Sequence, residues 1–213
     1  MSLPQIEKLG SALGFLEPAQ EIISRVYSVY KDIDQHIQEV TSQTNLPCKR
    51  GCDACCHESV FLSAPEFLVV SEHIMNSFEF SERESLVHQM WALADEYEDE
   101  LELLEEIISG PERDEVAARI KFSCPLLSAD GACRIYVARE LNGRSFGHAW
   151  DSARNEAYGC ELTHDHLRVL NNPRDALIDA RQARQSLVEQ VPNTEKVQVY
   201  PWWFKTYGKL LLE

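Results

Sequence analysis

The sequence has no long apolar run; its longest stretches, such as Phe67 to Val70, are only a few residues. A bilayer-crossing helix needs roughly 20 such residues, so no membrane partner is expected. The N-terminus lacks a basic region followed by an apolar core and a small-residue cleavage site. No export signal is expected, and cytoplasm is the default location. Basic residues are also scarce, 20 Lys and Arg against 35 Asp and Glu, for a net charge of −15. A nucleic-acid partner needs a basic face to displace counterions, so that class is excluded as an expectation. A local patch around Arg134, Arg139 and Arg144 would still sit in a field favouring a cationic partner. The simpler reading of the acidity is solubility. The nine glycines never form GxG, which removes a glycine-rich nucleotide loop. Internal repeats, low-complexity segments and a convincing linker are missing too.

What is present suits one soluble globular domain: 213 residues, 44% hydrophobic and 26% charged, enough chain to bury a real core. Pro18 opens a helical pattern in which Ile22, Val26, Tyr30, Ile33, Ile37 and Val40 form one apolar stripe. Under three heptads long, this stripe reads as core rather than a dimer seam. Ser63-Ala64-Pro65-Glu66 is a capping box opening a second helix. Ser81 to Glu84 repeats that signature before the longest helix, whose apolar face is Leu86, Met90, Leu93, Tyr97, Leu101, Leu104 and Ile108, ending near Gly110-Pro111. Eight acidic residues fall between Asp95 and Glu106. They read as a solvated helix face, with docking of a basic protein partner or a cation as the rival. A short helix is expected over 112–120, and Ile135 to Leu141 reads equally as strand or helix. Asn142-Gly143 gives a turn signal, 145–171 has little periodicity, and Pro173 opens a helix to about Gln190. The tail, Tyr200-Pro201-Trp202-Trp203-Phe204, reads as an aromatic plug. The expected fold is mainly α, a helical bundle-like single domain over 1–213. Its irregular cysteine-rich core covers about 45–160, with flanking helices at 18–43 and 173–190.

The chemistry lies in the cysteines. There are seven, an odd number, so a fully paired disulfide framework within one chain is impossible. Four fall in CKRGCDACC (Cys48, Cys52, Cys55 and Cys56), and Cys124, Cys133 and Cys160 lie far downstream. Clustered thiols in a chain without an export signal point to metal binding or catalysis. Thiolates are soft ligands that select zinc, iron–sulfur clusters or cuprous copper. Cys52-x2-Cys55 lets two sulfurs face one ion, whereas vicinal Cys55 and Cys56 would diverge in an extended chain. Cys124 and Cys133 flank the Asp130-Gly131 turn and could supply the other half of a site.

Those residues carry a resemblance. CKRGCDACC followed by CPLLSADGACRIYVARELNGRSFG resembles the zinc- or iron-chelating CxxCxxCC domain family (YkgJ-like). Its pattern runs C-x2-C-x2-CC, then CP-x-L, a glycine-containing turn and C-x-IY-x2-RP-x2-CR-x-F. Cys124, Pro125, Leu127, Gly131, Cys133, Ile135, Tyr136, Arg139, Arg144 and Phe146 fall on the second block. The resemblance implies bound zinc or iron, including an iron–sulfur cluster, held by cysteines of both blocks. Three positions depart from it: the first gap is one residue longer, Glu140 stands for proline, and Gly143 stands for a cysteine. Cys160 or His57 could fill that vacancy. Cys48-x3-Cys52-x2-Cys55 also looks like the cluster motif of radical S-adenosylmethionine enzymes, which would require an α/β barrel.

Rival readings attach to the neighbours. Arg139 and Arg144 could hold thiolates, an anionic substrate or a structural salt bridge. His164 and His166 would share a side of a strand. Gly143-Arg144-Ser145-Phe146-Gly147 fits GxSxG, but the nucleophile elbow needs a buried strand before it and a helix after it. The expected function is metal binding by thiolates. The alternatives are a metal-dependent enzyme acting on a protein or small molecule, and an acidic interaction module with structural zinc.

Overall fold

Helix α1 (Leu3–Ala12) turns back along α2 (Ala19–Thr41), and Gly10 lets them approach: a Cβ there would lie 3.0 Å from Ala19 Cβ. The free amide of Ala19 donates to Glu7 of α1 (2.9 Å), so the first helix caps the second. On α2, Ile22, Val26, Tyr30 and Ile33 are buried as the stripe requires, while Ile37 and Val40 are only partly covered. The computed structural model describes residues 3–42, 44–107 and 109–213.

After a loop carrying the first cysteines, β1 (Phe61–Ser63) runs into α3 (Ala64–Ser77). Glu66 closes the expected capping box by accepting from the Ser63 amide (2.8 Å) and hydroxyl. It is fully buried, and its other oxygen accepts from Tyr30 Oη (3.3 Å) and from the Leu141 amide (2.7 Å). One carboxylate thus ties α2, α3 and the second cysteine block together, with every bond going to a buried donor.

The expected longest helix is two: α4 (Phe80–Glu96) and α5 (Glu98–Glu106). Tyr97 leaves helical geometry between them (φ −110°, ψ 32°), with its hydroxyl on the Lys121 carbonyl (2.6 Å). The bend lets Leu101 and Leu104 reach the core and leaves most of the acidic side chains in solvent. The capping box of α4 is Glu79 with Glu82, two residues before the expected one. Ile108 lies outside the described residues. Next come α6 (Pro111–Ala117), a 3-10 turn at Tyr136–Ala138 and α7 (Leu141–Ser145). The turn expected at Asn142-Gly143 is instead the first turn of α7, because Glu140 caps it and accepts from the Gly143 amide (2.9 Å).

The aperiodic stretch forms a hairpin of β2 (Ala149–Asp151) and β3 (Glu156–Tyr158), followed by α8 (Glu161–Leu167). The helix expected from Pro173 begins only at Ala180. A 3-10 turn (Pro173–Ala176) and β4 (Ile178–Asp179), parallel to β2, come first; then α9 covers Ala180–Gln190. Strand β5 (Val197–Val199) pairs antiparallel with β1, setting Leu62 opposite Gln198, and α10 (Tyr200–Tyr207) follows. The tail is the plug that its aromatics suggested. Trp203 is fully buried, stacks on Phe67 with centroids 5.2 Å apart, and donates to the Leu62 carbonyl (3.0 Å). With 58% of residues helical and little sheet, the chain is a mainly α single compact domain.

Candidate metal centre

The first cysteine loop is a pair of tight turns. The Cys52 amide donates to the Lys49 carbonyl (3.0 Å) and the Cys56 amide to the Asp53 carbonyl (2.8 Å), with Gly51 supplying a left-handed residue (φ +92°). The second block is a turn closed by the Leu127–Cys133 bridge, with Gly131 at φ +77°. Three contacts bring the blocks together. The Cys124 amide donates to the Cys56 carbonyl (2.9 Å). A Cβ on Gly131 would touch Asp53 Oδ2 (3.6 Å). Arg50 of the loop lies over the Tyr136 ring (5.9 Å), whose other cation is Arg139 (4.5 Å).

Cys160 joins from the far side, just after the β2–β3 hairpin. Its sulfur lies 4.0 Å from Thr163 Oγ1, and the sulfur of Cys48 lies 3.6 Å from the same hydroxyl. Cys48 gets there because Gly147 has no side chain: a Cβ at Gly147 (φ +80°) would overlap Cys48 Sγ and stand 3.0 Å from its Cβ.

All seven cysteines are free and half-buried. They fall into two neighbourhoods. Cys48 feels the charges of Cys160, Cys52 and Cys55, while Cys56 feels those of Cys55, Cys124 and Cys133. Burial pushes the Cys124 thiol up to about 12 and also raises Cys133 and Cys48. The chain turns at Cys55-Cys56 rather than running extended, which brings the two thiols into mutual influence. The Cys55 thiol is lowered to about 7 by its vicinal partner, helped by the Arg139 guanidinium, while Cys56 is raised. Among the described residues, no three or more His, Cys, Asp or Glu side chains are grouped so that they could hold a metal ion. The donor chemistry suits a soft ion, and loading one would require thiol protons to leave and the 44–60 loop to tighten.

The two departures at 140 and 143 are one feature. A Cβ at position 143 would overlap Glu140 Oε1, and Glu140 is held there by the Gly143 amide and Tyr200 Oη. A side chain at 143 and this glutamate compete for one space.

Other candidates resolve differently. Arg144 is structural: it is buried, ion-paired with Asp34, bonded to the Arg139 (3.1 Å) and Val137 (2.7 Å) carbonyls, and set over the Tyr30 ring (4.2 Å). His164 and His166 sit on a helix and bond separate carbonyls, Gly159 (3.0 Å) and Thr44 (2.7 Å), so they do not share one ion. Ser145 is buried in α7 with its hydroxyl on the Leu141 carbonyl (2.8 Å), and no strand leads directly into it, so GxSxG is not an elbow. Among the described residues the five short strands form one two-stranded and one three-stranded sheet, so the α/β barrel of the radical-enzyme reading is absent.

His148 is the residue that the sequence did not flag. It lines a cleft of about 360 Å³ with Cys48, Arg139 and Arg144, and its Nδ1 is buried without a partner. Burial, then Arg139, lowers its pKa, leaving a neutral imidazole beside a thiol. A lone histidine in an aperiodic stretch carries no pattern that could have singled it out.

No family model matches the chain, and neither a curated protein nor a solved structure matches it. Among the described residues, no helix is long and apolar enough to cross a membrane.

Proposed function

We propose that this is a metal-binding protein whose cysteine thiolates, drawn from two distant blocks, hold zinc or iron, the latter as an ion or an iron–sulfur cluster. The supporting observation is the approach of free thiols from remote segments: the Cys124 amide donates to the Cys56 carbonyl, and Cys48 and Cys160 come to the same Thr163 hydroxyl. The neighbourhoods suggest the division of labour. On that basis Cys55, Cys56, Cys124 and Cys133 would make one set once drawn together by an ion, and Cys48, Cys52 and Cys160 another, with His148 lining the cleft beside Cys48. A closed four-coordinate zinc site is structural, whereas a set with an open position can take a further ligand. An iron–sulfur cluster would supply electron transfer or redox sensing.

A second reading, a metal-dependent enzyme, draws on the cleft that Cys48 shares with Arg139 and His148. The interaction-module reading draws on the exposed acids of α5, where a basic protein partner would bind with strong salt dependence.

The test is metal analysis with a visible spectrum on protein purified anaerobically and again in air. Colourless protein with zinc, indifferent to air, supports a zinc site; brown protein with iron and acid-labile sulfide, bleaching in air, supports a cluster. Neither metal in either preparation overturns the proposal.

A further inference from the structure

Away from the thiols' own cleft, a second cleft of about 440 Å³ lies between α6, the β2–β3 hairpin and the start of α9. For a chain of net charge −15 its lining is unusual: Arg113, Arg154, Arg181 and Arg184 against only two carboxylates, Asp114 and Asp151. Four guanidiniums and two carboxylates leave a local charge of +2 in a protein whose average surface is acidic.

The four arginines are not equivalent. Arg154 is ion-paired with Asp114 and, at 3.3 Å, with Asp151, so both lining acids are already engaged by one cation. Arg113 is fixed by the Ile107 (3.2 Å) and Val197 carbonyls, with its guanidinium over the Phe61 ring (4.8 Å). Arg184 donates to the Thr194 carbonyl (3.3 Å) and has no carboxylate partner among the described residues. Arg181, exposed, shows neither an ion pair nor a side-chain hydrogen bond among the described residues. Residues 181 and 184 are three apart on α9 and so share a face. The cleft therefore has two unneutralised forks on one wall, a positioned guanidinium on another and an aromatic edge at Phe61.

We propose that this cleft binds a small phosphorylated anion, its phosphate gripped by Arg181 and Arg184 in the field of Arg113. Paired guanidinium forks match tetrahedral oxyanions bidentately, which lone lysines do not. The volume fits a small molecule. The surrounding negative field of a chain with net charge −15 opposes a long polyanion. The proposal does not depend on metal at the cysteines.

The probe is pyrophosphate, titrated calorimetrically into the full chain as purified, at constant ionic strength. One saturable site per chain is expected. Arg181→Gln should weaken it several-fold and R181Q/R184Q at least tenfold. Arg168→Gln, at an exposed arginine already paired with Asp165 and Glu161, should leave it unchanged. No binding in the millimolar range overturns the proposal. So does undiminished binding by R181Q/R184Q, which would place the anion elsewhere, including on a metal, and so does equal weakening by R168Q, which would mean a diffuse field. A single-stranded oligonucleotide binding more tightly than pyrophosphate through the same arginines would also overturn it.

Discussion

Replacing Gly143 with alanine isolates the contact between that position and the Glu140 carboxylate. The new Cβ would overlap Glu140 Oε1 and crowd Arg139 Cγ (3.1 Å). An exposed carboxylate would swing aside, but this one is buried on all sides and bonded to the Gly143 amide (2.9 Å) and Tyr200 Oη. Each bond to a charged group is worth about 1.5–3 kcal/mol, and losing both without full additivity costs about 3 kcal/mol. Against that, alanine is favoured over glycine within a helix by about 1 kcal/mol. Gly143→Ala should therefore destabilise by about 2 kcal/mol, read as a lower urea midpoint at unchanged slope. In a Glu140→Ala background the obstacle is gone, and the same substitution should become neutral or stabilising by up to about 1 kcal/mol. That reversal of sign is the test. Equal destabilisation in both backgrounds would refute the reasoning and assign the cost to Arg139 or to the backbone.

Three further outcomes follow from the same geometry. Gly147→Ala should cost about 1–3 kcal/mol, from a left-handed residue and a displaced Cys48 (φ +80°), and should lower bound metal in parallel, measured by unfolding and metal analysis. Burial raises the Glu140 pKa above its ordinary 4.5, so the folded state holds its proton more tightly than the unfolded state. Its stabilisation is complete below 4.5 and is lost as pH rises toward the folded value; Glu140→Gln should remove this fall from the urea-unfolding profile. Arg144→Lys should destabilise nearly as much as Arg144→Ala, about 2–4 kcal/mol, because lysine cannot reach Asp34, two carbonyls and the Tyr30 face together. Full rescue by lysine would show that only the charge matters.

Where the sequence was legible, one local rule decided the outcome. The α2 stripe, the Ser63–Glu66 box and the aromatic tail each carry their own periodicity or capping chemistry, and each formed as expected. The failures have other causes: a distant partner, a side chain folded over its own helix start, or strands too short to show a period. Nothing near Tyr97 signals the break that its hydroxyl makes with Lys121, 24 residues on. Asn142-Gly143 reads as a turn until Glu140 is seen folded over the amide. The strands between 149 and 179 are two or three residues long, too short to show alternation. At the cysteines the thiols were plain in the sequence, but which of them approach one another was not. The shared approach of Cys48 and Cys160 to Thr163 spans 115 residues and depends on a bare backbone at Gly147. The arginine cleft was equally hidden, since its four cations come from three separate elements.

The burial of Trp203 and Phe204 against Phe67, with β5 completing β1, has a consequence for how the chain is born. Every cysteine precedes residue 161, whereas the strand and helix that seal the body beneath them are residues 197–207. A chain emerging from the ribosome therefore presents all seven thiols before the scaffold that gathers them can close. During that interval they are open to oxidants, so the order of synthesis, as much as the finished geometry, governs how long they stay exposed.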